Sequence, residues 1–416
     1  KGRDLERVVS KTEEKHLKDA VVSKQKATAF VRSEADKVKT LGRFRPDEKN
    51  FLTALARPLK NSGLKSPDNV DIDPEEGMPG FTPSAYTGRG YSGGADRAVG
   101  ESRGEITSYE SVDAFLDIEV LTYQSPEDAK KYFMIKIFPK PGVKNLRVMP
   151  KEVIFAIDCS LSISKDRLEE FKKGISRCLT GLGPEDLFNI IAFKEETVLF
   201  SPKSIASSPE AIRKAEKFVI NLTPSQRTDV YGAIKRVVET PLNREPSNIM
   251  LLSDGRPTYG VVDARELLNS ITRVNKKVRP IFAFSGGGKV NRYLLDFISY
   301  QNRAWSEYIK SRGEISRGLG EFYEKIKDPI FLHLKYRLNG LDEGEVYPKS
   351  LPDFYANAQF TLYGSYDNED KFSMQLLGDV EGKTKELIFS RELSQAQKGT
   401  PDVMKGYAFN KIYYLI

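Results

Sequence analysis

At 416 residues the chain is long enough for two or three domains, each with its own core, and 39% hydrophobic with 30% charged residues marks it as globular. The formal charge of +7 is the near cancellation of 65 basic and 58 acidic residues, with much of the excess in the first 60, and a basic tail alone gives no support to a nucleic-acid role. No apolar run approaches the ~20 residues of a membrane span, so no transmembrane segment is expected.

In chain order, residues 1–61 are expected to form an amphipathic helical arm. Positions 4 to about 41 are dense in Lys, Glu, Ala and Val, without Pro or Gly, and Leu17, Val21, Phe30, Val31, Val38 and Leu41 recur at near-helical spacing. Such an arm packs on a neighbour through one face, or pairs as a coiled coil with assembly neighbours through residues 4–41. Residues 62–107 are rich in Gly, Pro and Ser and read as a linker or an extended arm. Within them "DNVDIDPEE" alternates Asp71, Asp73 and Glu75 as a calcium loop does. Glu76 occupies the position where that loop needs glycine, so the segment reads as solvated and acidic.

From 108 to 150 the pattern turns to alternating, β-branched runs. "SVDAFLDIEVLTYQ" and "KYFMIKIFP", joined by "SPEDAK", predict a hairpin. Residues 151–327 alternate strands and helices. Strands are expected at 153–158, 188–193, 248–253, 279–284 and 303–308, with a short antiparallel edge strand at 197–200. Helices are expected at 165–181, 208–220, 229–239, 262–275, 290–300 and 315–327. This alternation predicts a doubly wound, mostly parallel α/β sheet. Residues 328–395 return to strands, and 396–416 read as the start of a C-terminal helix. The chain begins at Lys1 and ends at "NKIYYLI", inside an apolar helical pattern, so it reads as a fragment of a longer product. Cys159 and Cys178, the two cysteines, lack metal-site spacing and read as separate buried thiols.

In open parallel sheets, sites form beyond the carboxyl ends of the strands, where loops converge and helix N-termini point. Three such loops carry oxygen groups here: Asp158, Ser160 and Ser162 after the first strand, Thr228 with Asp229 at a helix start, and Asp254 before Gly255. Taken singly, each has a simpler reading as a helix cap or a turn. Taken together they make a set of hard oxygen ligands without His, Cys or Met, which suits magnesium or calcium and disfavours zinc or copper.

The pattern Asp158-x-Ser160-x-Ser162, then Thr228, then Asp254-Gly255, resembles the metal-ion-dependent adhesion site of von Willebrand factor type A domains, over residues 151 to about 310. The resemblance implies that these five side chains hold a divalent cation, Mg2+ or else Ca2+ or Mn2+, with one coordination position open to an Asp or Glu of a partner protein. Leu161 departs from the family, which usually has glycine there. The segments "GGGKVNRYLLDFIS", "LGEFYEKIKDPIF", "VYPKSLPDFYANAQFTLYGSY" and "MKGYAFNKIYYLI" are similar to inter-alpha-trypsin inhibitor heavy chains and their relatives. That likeness implies a β-sandwich made from residues 108–150 and 328–395, with the A domain inserted, and an extracytoplasmic setting. The β domain that usually comes first in those heavy chains is not recognisable in residues 1 to 105.

The resulting expectation is a non-enzymatic, cation-dependent binding module. The alternative is an architectural subunit in which the metal site is structural. An enzyme fares worst: of two histidines, His16 lies in the basic helix and His333 in a predicted strand where partial burial is expected, and Ser160 as a nucleophile would need a base nearby, whereas Asp158 is better explained as a ligand. "SGGGKV" at 285–290 lacks the length and the Ser or Thr of a P-loop and reads as a turn that borders the metal face. Trp305 and Tyr308 read as core and sheet edge.

Overall fold

The computed structural model describes residues 116–126, 130–140, 148–276, 278–380 and 383–415. The helical arm of 1–61, its coiled-coil contacts and the linker of 62–107 lie outside the described residues. The chain divides into two compact units, Lys1–Val70 with Lys411–Ile416, and Asp71–Asn410; all the described strands and all but the end of the last helix belong to the second.

Strands β1 (Leu116–Gln124) and β2 (Lys131–Pro139) form the expected hairpin, in unbroken antiparallel register from Leu116 opposite Pro139 to Gln124 opposite Lys131. The α/β part comes next: β3 (Glu152–Asp158), α1 (Lys165–Thr180), β4 (Leu187–Phe193), β5 (Thr197–Leu199), β6 (Ile205–Ala206), α2 (Pro209–Ile220), α3 (Val230–Val238), β7 (Ser247–Leu252), α4 (Ala264–Asn275), β8 (Ile281–Gly286), α5 (Arg292–Gln301), β9 (Ser306–Ile309) and α6 (Ile315–Ile326). The sheet order is β5-β4-β3-β7-β8-β9, with β6 also on β4; the β4-β3-β7-β8-β9 pairs are parallel, while β5 and β6 run antiparallel to β4.

A strand covered on both faces needs apolar groups at every position rather than at alternate ones. "VIFAI" in β3 meets that demand: Val153, Phe155 and Ile157 join a core with Phe171 and Ile175 of α1 and Leu319 and Phe322 of α6, and Ile154 and Ala156 are buried on the opposite side. Helix starts are set by side-chain caps: Ser164 accepts from the Arg167 amide, Ser208 from that of Ala211 and Asp229 from that of Gly232.

The chain then leaves the α/β part through β10 (Pro329–Asn339), β11 (Val346–Tyr347), β12 (Phe354–Tyr355), β13 (Phe360–Tyr366), β14 (Lys371–Val380), β15 (Lys383–Glu392), β16 (Gln397–Lys398) and α7 (Asp402–Leu415). These strands make two sheets, β11-β13-β2-β1-β16 and β12-β10-β14-β15. Phe133 of β2 stacks on Phe372 of β14 across the gap, with ring centroids 6.4 Å apart. The parallel sheet is thus inserted into a β-sandwich to which strands on both sides of the insertion contribute.

Apart from the two-residue strands, the structure differs most from expectation at three places. The last parallel strand starts at Ser306 rather than 303, because Arg303 takes a positive φ and the chain turns to drive Trp305 into the core, edge-on to Phe282 at 4.6 Å. His333 is exposed rather than partly buried: it stands at a register shift in β10, with φ 52°, and its ring meets Asp379 at 3.2 Å. The terminal helix begins at Asp402, since Gln397–Lys398 first add to β1 as a parallel strand and Gly399 and Pro401 delay the helix.

Candidate metal centre

β3 lies between β4 and β7, and its register with β7 ends at Ile157 opposite Leu252. Asp158 and the Ser253–Asp254 pair therefore leave the sheet side by side at its carboxyl edge. Backbone hydrogen bonds hold the three loops together there. The Leu161 amide donates to the Gln226 carbonyl at 3.0 Å, those of Thr258 and Tyr259 donate to the Thr228 carbonyl at 3.0 Å each, and that of Asn291 donates to the Asp254 carbonyl at 2.8 Å. Gly255 has φ +66°, and a Cβ there would stand 2.7 Å from the Asn291 carbonyl, so only glycine fits this turn.

All five side chains expected from the sequence converge. The hydroxyls of Ser160, Ser162 and Thr228 form a triangle, with Ser160 2.9 Å from Ser162, Thr228 2.6 Å from Ser160 and Ser162 3.5 Å from Thr228. Asp158 is fully buried; one carboxylate oxygen accepts from the Ser160 amide at 3.0 Å and the other from the Ser253 hydroxyl at 2.7 Å. Asp254, 1% exposed, accepts from the Arg256 amide through Oδ1 at 3.1 Å, while its buried Oδ2 has no hydrogen-bond partner. Asp229 stays outside the cluster and caps α3.

Burial, and then the neighbouring Asp254 charge, push the Asp158 carboxyl up to about 7. Burial also raises Asp254, against the opposing pull of the Arg167 guanidinium. Two carboxylates held in a dry site favour protonation unless a cation joins them. One orphaned carboxylate oxygen and three clustered hydroxyls fit a hard divalent ion, for which Asp158, Ser160, Ser162, Thr228 and Asp254 are the ligand candidates. Among the described residues no cluster of three or more His, Cys, Asp or Glu offers a competing site. Ser162 is the half-buried member of the set and Leu161 beside it is 71% exposed, which marks the open side.

Sequence reasoning missed three supporting residues. Ser253 orients Asp158, and the Thr258 hydroxyl accepts from the Thr228 amide at 2.9 Å. Arg167, 3% exposed, donates through Nη2 to the Gly288 carbonyl and holds Nη1 3.7 Å from Asp254 Oδ2. Its signal in the sequence was spacing: it precedes the buried Phe171 by four residues, hence lies on the inward face of its helix. The "SGGGKV" loop meets this arginine through a carbonyl, and the Gly287 amide donates to the Ile309 carbonyl, so that amide is not free to cradle a phosphate.

Comparison with known proteins agrees with this architecture. Residues 151–299 match the family described as the von Willebrand factor type A domain. Human inter-alpha-trypsin inhibitor heavy chain H4 is 24% identical over 278 residues, covering 64% of this chain and 30% of the relative. Bovine heavy chain H1 is 25% identical over 211 residues, covering 49% and 23% respectively. The chain therefore spans less than a third of either relative. Among solved structures, a von Willebrand factor type A protein from Catenulispora acidiphila superposes with a TM-score of 0.50 at 13% identity, covering 70% of this chain and 75% of that one, a likeness of fold.

Proposed function

We propose that this chain, whose residues 151–299 match the von Willebrand factor type A domain, a family that serves protein interaction and adhesion, is a non-enzymatic, cation-dependent binding module. Asp158, Ser160, Ser162, Thr228 and Asp254 would hold Mg2+, or Ca2+ or Mn2+ in its place, and an Asp or Glu of a partner protein would complete the coordination. The observation that carries this reading is the buried Asp254 Oδ2, which has no hydrogen-bond partner, on a carboxylate that faces the Ser162 hydroxyl of the cluster. Leaving such an atom unsatisfied costs about 1–3 kcal/mol, a cost that a bound cation removes. With two carboxylates and three neutral hydroxyls as ligands, the ion stays electrophilic enough to take a further carboxylate.

The likeness to inter-alpha-trypsin inhibitor heavy chains supports an extracytoplasmic setting. No described helix is long and apolar enough to cross a membrane. The architectural alternative draws on residues 1–107, outside the described part of the chain, and no observation favours it over capture through the cation.

The test is calorimetric titration of Mg2+ and Mn2+ into the chain and its Asp254→Ala variant, followed by affinity capture of partners with and without chelator. We expect binding to the wild type, none to the variant, and partner retention lost in both the variant and the chelator. Partner retention indifferent to chelator and to Asp254→Ala would refute the cation-dependent reading.

A further inference from the structure

We propose that Arg167 is the internal counter-ion of this centre, and that it sets the balance between cation affinity and attraction for an anionic ligand. The inference rests on the cation-binding reading above and extends it to a residue outside the ligand set.

Arg167 sits in the first turn of α1, on its buried face, with 3% exposure. Its Nη2 donates to the Gly288 carbonyl, while Nε and Nη1 are buried without any hydrogen-bond partner. A buried guanidinium with unmatched donors is costly. Its charge, rather than its hydrogen bonds, accounts for its presence here. That charge faces Asp254: Nη1 stands 3.7 Å from Oδ2, within ion-pair range but too far to hydrogen-bond. The arginine therefore offsets the buried carboxylate while leaving its lone pairs free for a metal. Asp158, Tyr308 and Arg312 are the other charged or titratable groups that act on Arg167. Arg312 is drawn outward by Asp166, at 3.3 Å.

When both carboxylates are ionised, they and the one guanidinium give the metal-free centre one net negative charge. A divalent ion turns that into one net positive charge; without Arg167 the loaded centre would be neutral. Arg167 thus weakens the hold on the cation through like-charge repulsion and strengthens the hold on a carboxylate ligand. The guanidinium also reaches Gly288, so a lysine would supply the charge without the link to that loop.

Mn2+ is titrated at pH 8 into wild type, Arg167→Met and Arg167→Gln, and acetate is then added to each loaded protein while the ion's paramagnetic resonance is followed. We expect both neutral variants to bind Mn2+ on the order of tenfold tighter and to bind acetate more weakly. Equal or weaker Mn2+ binding by both variants overturns the proposal. In chelator, Arg167→Met must also melt below wild type, and that loss must shrink in an Asp254→Asn background, since the charge it balances is gone. Absence of this coupling overturns the counter-ion role whether or not metal binds, whereas wild type that binds no Mn2+ overturns the cation reading itself and, with it, this balance.

Discussion

A carboxylate buried beside a second one makes folding depend on pH. Asp158 is raised from 3.8 to about 7, first by burial and then by Asp254, so the folded chain holds a proton that the unfolded chain releases. The stability contribution is complete below the ordinary carboxylate range and is lost as pH rises to about 7. In chelator, the urea midpoint should therefore fall between pH 5.5 and pH 8, and Asp158→Asn should flatten that part of the decline. Saturating Mg2+, which favours the ionised carboxylate, should do the same to the wild type. An identical slope in wild type and Asp158→Asn would remove Asp158 as its source. Residues like this one were legible because a strand, an oxygen and a turn coincide in the sequence. Ser253 was not, since a serine before an aspartate looks like ordinary surface; for Arg167 the spacing to Phe171 gives the inward helix face but not the partner, and only tertiary packing brings the two to Asp158 and Asp254.

At the scale of elements, burial on both faces explains why the central strands read clearly: apolar groups at every position leave little choice of pairing depth. Helices of the α/β part start and end within about two residues of expectation, since caps such as Ser208-Pro209 are local signals. Two-residue strands such as β11, β12 and β16 have no periodicity to read, and the shift at His333 follows from a register that only the partner strand defines. Close packing also reverses an ordinary helix rule. Gly→Ala in a helix interior commonly stabilises by about 1 kcal/mol. In α6, Gly320 should obey it, because a new Cβ would stand 3.6 Å from the flexible Arg177 side chain. Gly318 should not: its Cβ would fall 2.4 Å from Ile309 of β9, and such overpacking costs about 1–3 kcal/mol. Denaturant unfolding of the two variants should thus give opposite signs, and equal signs would show that the α6–β9 contact is slack.

For the whole molecule, alternation could show that 108–150 and 328–395 hold half-buried strands but not which strand joins which; the pairing across the insertion came from the family resemblance. The structure shows why the two parts depend on each other. β13 and β16, after the α/β part, pair with β2 and β1 before it. Tyr355 of the sandwich donates to Asn248 in β7 at 3.2 Å and lies 6.3 Å from Trp305, ring to ring. Phe133 and Trp305 belong to one continuous core. Trp305, the single tryptophan, therefore reports on the α/β part, while Phe133 is confined to the sandwich. Phe133→Ala removes the ring that fills the space between the two sandwich sheets, over Phe372 and against Gly364, and should cost about 3–5 kcal/mol. If the core is one cooperative unit, the Trp305 fluorescence midpoint in urea must fall together with that of far-ultraviolet circular dichroism, although the substitution is in the other part. A Trp305 transition that stays at its wild-type midpoint would mean that the inserted sheet stands without its sandwich, and that the shared core does not couple them.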